Sequence, residues 1–258
     1  MIEQLQDGRI VDSRSCQHGM RTVFENKHFR WLCFDDEDAI QSCMPLAEPE
    51  KLVLPYQHFM MMWQLFCGET LPSRASLLGI GGGDIIRYLR STFPNMKITA
   101  VDNDPHMAQL ANKYFLIKPV QEQLTLQIEE AQTYIKKTQR NDLLFIDIVA
   151  NNVLPELLYA LSFWKDCHAS LTENGIMAVN IIPESEAGFV KILEMLRDIF
   201  GHLPLCMGVP DHKNIVLLMS MSATPKLNDL RLRGVELQKN SLLPFSLCVD
   251  ILAKDNGL

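Results

Sequence analysis

The sequence predicts an α/β protein built on a doubly wound, mainly parallel sheet, preceded by a small β domain. Three observations predict it. From Ala75 onward, apolar strand-like runs alternate with amphipathic helical stretches across short links. The first run, Leu77-Leu78, breaks at Gly79-Ile80-Gly81-Gly82-Gly83-Asp84 and resumes as a helix, the form of a nucleotide-binding corner. The next strand, Lys97 to Val101, ends in Asp102. That is about 20 residues past the glycines, where such sheets place a carboxylate for ribose hydroxyls.

Composition narrows the function. The 258 residues are 47% hydrophobic, enough for one large domain or one domain with a small appendage. The 24 Lys and Arg residues are dispersed and the net charge is −7, which argues against a nucleic-acid surface. The longest apolar runs fall short of a membrane span. The acidic start, Met1 to Asp7, lacks a signal-peptide core, so a cytoplasmic location is expected. Seven cysteines, at 16, 33, 43, 67, 167, 206 and 248, never form C-x-x-C, and no two histidines form H-x-x-x-H. The expectation is therefore buried thiols, no disulfide framework and no metal.

The elements follow in order. Arg21–Glu25 and Phe29–Phe34 flank Asn26-Lys27-His28 as a hairpin, with an acidic turn at Asp35-Asp36-Glu37-Asp38. Residues 1–54 are expected to form a small N-terminal β-hairpin domain, and 55–258 the nucleoside-binding domain. Pro55 opens a helical stretch to Phe66 whose methionines lie on more than one face, so it should be buried. Then come a strand at 75–80, a helix at 84–93, a strand at 97–101, and Asp104-Pro105 as N-cap and first helical residue. A strand at 124–128, a helix around 130–138, a strand at 143–146 and a helix at 154–171 follow. A strand at 176–182, an amphipathic helix carrying Phe189 to Phe200, and a strand at 214–220 complete the pattern. In the tail, 225–258, Leu242-Leu243-Pro244-Phe245 should dock on the body.

Ligands of such sheets bind outside the carboxyl ends of the strands. Gly81–Asp84, Asp102, Glu129-Glu130 and Asp147–Asn151 all fall at those ends. Each also has a structural reading. Asp84 suits a helix cap, Glu130 a first-turn acid, Tyr56 a core tyrosine, and Asp147 an N-cap.

These residues resemble the spermidine synthase (polyamine aminopropyltransferase) family, in order, from about Gln17 to about Ser222. Ile80-Gly81-Gly82-Gly83-Asp84 is similar to the family's I-G-G-G-D-G, departing at Ile85. Val101-Asp102-Asn103-Asp104 resembles V-E-I-D, Asn112-Lys113-Tyr114-Phe115 resembles S-K-K-Y-F, and Pro55-Tyr56-Gln57-His58 resembles the Y-(H/Q)-E-M segment. Asp142–Asp147 resembles D-V-I-I-x-D. The resemblance implies a Rossmann-like sheet of the class I methyltransferase and spermidine synthase type. It implies transfer of an aminopropyl group from decarboxylated S-adenosylmethionine to putrescine or a related small amine, with no tightly bound cofactor, in a homodimer. Asp102 would take the ribose hydroxyls, Glu130 would stand near adenine, and Gln17 would approach the donor. Asp84 would bind the cationic aminopropyl end, and Tyr56, Gln57 and His58 would line the amine site.

The catalytic loop departs from the pattern. Where the family reads D-S-S-D-P, this chain reads Asp147-Ile148-Val149-Ala150-Asn151, so Ala150 stands at the position of the general base. His58 replaces a glutamate, and Glu129-Glu130-Ala131 replaces G-D-G. General acid–base help is worth about 100- to 10,000-fold in rate. Three readings stay open: an aminopropyltransferase in which Asp147 or His58 serves as base, a methyltransferase using S-adenosylmethionine itself, and a non-catalytic nucleoside-binding paralogue.

Overall fold

The computed structural model describes residues 5, 7–16, 19–68, 70–120, 122–138, 140–148 and 154–258. Four antiparallel strands lie in chain order: β1 (Arg9–Cys16), β2 (Gly19–Glu25), β3 (Phe29–Phe34) and β4 (Asp36–Pro45). The predicted hairpin is β2–β3, in register Val23 to Leu32 and Phe24 to Trp31, whose rings stack at 5.5 Å. Its turn forms because Asn26 Oδ1 accepts the backbone N–H groups of His28 and Phe29, at 2.9 and 2.8 Å.

The acidic turn is shorter than expected. Asp35 alone turns the chain, at φ 41°, with its carboxylate accepting the Met20 N–H at 2.6 Å. That one local bond closes the corner, so pairing with β3 resumes at Asp36.

Seven strands form the second sheet, in the order β10-β11-β9-β8-β5-β6-β7. They are β5 (Arg74–Leu78), β6 (Lys97–Asp102), β7 (Leu124–Ile128), β8 (Asn141–Ile146), β9 (Leu171–Ile181), β10 (Leu205–Gly208) and β11 (Ile215–Ser220). β5–β8, β6–β7 and β8–β9 pair in parallel, whereas β9–β11 and β11–β10 are antiparallel, so the sheet is mixed. The sequence pattern missed β10, a four-residue strand directly after Pro204, because so short a run shows no period.

Eight α-helices accompany the described strands: α1 (Pro55–Met60), α2 (Asp84–Thr92), α3 (Pro105–Tyr114), α4 (Ala131–Lys137), α5 (Leu161–Ser170), α6 (Glu186–Phe200), α7 (Leu227–Gln238) and α8 (Phe245–Asp255). The stretch after α1 tightens into a 3₁₀ helix, Met61–Phe66. The helix expected over 154–171 is interrupted. Pro155 opens a 3₁₀ turn, Glu156–Tyr159, and Ala160 is extended before α5 begins. The Trp164 indole N–H donates to the Leu158 carbonyl at 2.8 Å and satisfies the break.

The chain divides into two compact units, Met1–Leu54 with Gly79–Ala131, and Pro55–Leu78 with Gln132–Leu258. In the first, Asp104 caps α3 by accepting the His106 N–H, and Met107, Leu110 and Ala111 turn inward at helical spacing. In the second, Met60, Met61, Met62 and Trp63 are fully buried, as the methionine run predicts, beside a core that includes Phe145, Phe163 and Trp164. The tail forms two helices, α7 and α8. Leu243 and Phe245 are buried there while Leu242 is exposed. Among the described residues, no helix is long and apolar enough to cross a membrane.

Candidate functional site

In the first unit the glycine turn follows β5 and opens α2. Gly81 and Gly83 have φ values of 51° and 76°, a region that side chains disfavour. Packing restricts the turn further. The Gly82 N–H donates to Ser42 Oγ at 2.6 Å, and a Cβ at Gly82 would lie 2.6 Å from Ser42 Cβ. A Cβ at Gly83 would lie 2.3 Å from Ile117 Cγ1.

Asp102 ends β6 beside this turn. One carboxylate oxygen accepts the Ile80 N–H and the other the Asp104 N–H, both at 3.0 Å. Burial pushes its carboxyl above the usual carboxylate range, and the two N–H groups oppose that shift. The Glu129 N–H donates to the Asp102 carbonyl at 3.0 Å, and Glu130 accepts from the Asn103 amide at 3.1 Å. The turn, Asp102 and Glu130 are thus drawn together within one unit, with the Glu130 side chain at the surface.

Asp84 is buried at the first turn of α2. One oxygen accepts the Cys43 N–H at 3.0 Å and the other pairs with the Arg87 guanidinium one helical turn on. Arg87 also donates to the carbonyls of Pro49, Gly82 and Phe115, at 2.6, 2.5 and 2.9 Å. Sequence reasoning did not single out Arg87. The signal was present as Asp-x-x-Arg, a spacing that places both groups on one helix face.

In the second unit, Tyr56 at the start of α1 donates its phenol to Asp147, just past β8, at 2.9 Å. The Asn180 amide donates to the other Asp147 oxygen at 2.9 Å, and Asn214 in turn donates to Asn180 at 2.9 Å. The Asp147 backbone N–H is held by the Leu78 carbonyl at 2.9 Å. Gln57 is buried and His58 half-buried on the same short helix. Asn180 was also missed, although a polar residue inside the apolar run Ile176–Ile182 was its signature. Gln17 and Ala150 lie outside the described residues.

Residues 56–220, more than half of the chain, match the family described as the spermine/spermidine synthase domain. The chain belongs to this family. A polyamine aminopropyltransferase of Neisseria meningitidis is 28% identical over 190 residues, covering 73% of this chain and 71% of the relative. A probable spermidine synthase from Corynebacterium glutamicum superposes with a TM-score of 0.77 at 18% identity, over 92% of this chain and 89% of that one. A spermidine synthase solved with the transition-state analogue AdoDATO gives 0.70 at 14% identity, over 96% and 87%. The fold is therefore the spermidine synthase type, a mixed α/β sheet with a small antiparallel N-terminal sheet.

Proposed function

We propose that the chain binds an adenosyl donor along the glycine turn and Asp102. It transfers an aminopropyl group from decarboxylated S-adenosylmethionine to a small polyamine such as putrescine. The observation that carries this reading is Asp102. Its two oxygens are each aimed by one backbone N–H, and each keeps lone-pair capacity for a ribose hydroxyl. Glu130, at the end of the next strand, suits adenine contact. The resemblance also supports a homodimer, a cytoplasmic location and the absence of a tightly bound cofactor.

The acceptor amine arrives as a cation and must lose a proton before its lone pair attacks the carbon beside the sulfonium. The new C–N bond forms as the C–S bond breaks, and methylthioadenosine leaves. With Ala150 at the family's base position, we assign the proton to the Asp147 carboxylate, oriented by Tyr56 and Asn180. Those hydrogen bonds hold the carboxylate in one orientation. With Ala150 at the family's base position, turnover should be slow.

One observation favours a second reading. Arg87 offsets the charge of Asp84, so the repulsion that a free carboxylate would exert on the carboxyl of S-adenosylmethionine is reduced. The donor would then be S-adenosylmethionine itself, or the chain would bind nucleoside without turnover.

Mass spectrometry of products separates these readings. The protein is incubated with both donors and a mixed polyamine pool. Methylthioadenosine that falls by about 100-fold or more in Asp147→Asn supports the proposal. S-adenosylhomocysteine would replace it with methyl transfer, and neither product would leave the non-catalytic reading.

A further inference from the structure

We propose that Cys16, Asp104 and His106 form a binding site for one divalent transition-metal ion of the zinc class. Cys16 ends β1, and Asp104-Pro105-His106 opens α3, within the same unit. The Cys16 sulfur, a carboxylate oxygen of Asp104 and a ring nitrogen of His106 lie within 4.8 Å of one another. His106 Nδ1 stands 3.0 Å from Asp104 Oδ1. The thiol donates to the Gly19 carbonyl at 3.0 Å, a bond it gives up when its proton leaves to solvent on metal binding.

A second observation points to a cation. The Asp104 side chain is only 5% exposed, and its Oδ2 has no hydrogen-bond partner among the described residues. Arg21 Nε stands 3.9 Å from it and likewise has no hydrogen-bond partner among the described residues. Arg21 does not close that gap because its guanidinium is stacked on Phe34 at 3.8 Å. Against burial, the His106 N–H groups and the Cys16 thiol hold the Asp104 carboxyl below the usual carboxylate range, so it is charged, and Oδ2 keeps lone pairs open to a cation.

The donor set selects the ion. Thiolate, imidazole and carboxylate together suit zinc or cobalt, whereas magnesium and calcium want oxygen donors alone. A divalent ion with one thiolate and one carboxylate is neutral, and Arg21 remains as the outer partner of Asp104. Bonds of roughly 2.0–2.3 Å require the three atoms to draw slightly inward, and the half-buried Cys16 and His106 can rotate to do so. Three protein ligands leave a fourth position for water. Ligand-spacing rules missed the site because Cys16 and Asp104 are distant in sequence.

Four of the other thiols compete poorly. Burial pushes Cys43, Cys67 and Cys248 up to about 12 and Cys206 to about 11. The test is titration of the chelator-stripped full chain with cobalt(II), followed by absorption. One equivalent should bind with a thiolate-to-cobalt charge-transfer band and be displaced by zinc. Cys16→Ser should abolish the band, and Cys206→Ser should keep it. His106→Gln should weaken binding by more than the roughly 10- to 100-fold that loss of an outer partner costs. Circular dichroism confirms that each variant is folded. Failure to saturate at one equivalent, or a band that survives Cys16→Ser, would overturn the site.

Discussion

Arg87 and Asp84 form a buried ion pair across one turn of α2, and Arg87 also reaches carbonyls of Pro49, Gly82 and Phe115. The pair fastens the glycine turn to the segments packed around it. Removing one partner of such a pair leaves the other charged in a dry environment. Arg87→Met should therefore lower stability by about 3–5 kcal/mol, read as a drop in the urea midpoint. A loss below about 1 kcal/mol would mean that the pair is solvated.

The Tyr56–Asp147 contact makes a kinetic prediction. Tyr56→Phe removes a side-chain hydrogen bond that orients Asp147. If Asp147 takes the proton, kcat should fall by about tenfold for a bond worth about 1.4 kcal/mol. The apparent affinity for the donor should stay constant in calorimetric titration. A loss confined to donor affinity would place Tyr56 elsewhere in the reaction.

Gly83 is constrained twice, by its φ of 76° and by Ile117 Cγ1, which would stand 2.3 Å from an added Cβ. Gly83→Ala should cost at least about 1–2 kcal/mol from backbone strain, before any clash. Adding Ile117→Ala should recover the steric part only. Full recovery, measured by thermal unfolding, would show that the backbone was never strained.

Asp12 gives a pH signature. Its carboxyl is lowered from 3.8 to about 2, first by the Arg14 guanidinium and also by the Tyr114 hydroxyl, which donates at 2.7 Å. A carboxyl with a depressed folded-state pKa stabilises the fold above its unfolded pKa and loses that contribution as pH falls through the folded value. Asp12→Asn should thus be about 1 kcal/mol less stable than the parent chain at neutral pH. The gap should close between pH 4 and pH 2, in unfolding curves recorded across that range. A gap that stays constant would show that Asp12 acts through packing.

Much of this architecture is legible in the sequence because it is written locally. The glycine turn, Asp102 and the Asp104-Pro105 cap each announce themselves within a few residues. The methionine run at 60–62 likewise reads as core from its lack of a polar face. What sequence reasoning missed depends on partners distant in the chain or on a single bond. Asn180 gains meaning only from Asp147, and Cys16 only from Asp104 and His106. The acidic run at 35–38 reads as a turn, yet one Asp35–Met20 contact suffices to close it. The break at Ala160 and the short β10 have no periodic signature to detect.

Asp102 and the glycine turn should hold an adenosyl nucleoside, whatever follows chemically. Isothermal titration with methylthioadenosine tests it without requiring turnover. Saturable binding is expected at one site per chain, weakened by about tenfold to 100-fold in Asp102→Ala as the ribose hydroxyls lose a charged acceptor. Absence of binding to the folded chain, or binding indifferent to Asp102→Ala, would contradict it.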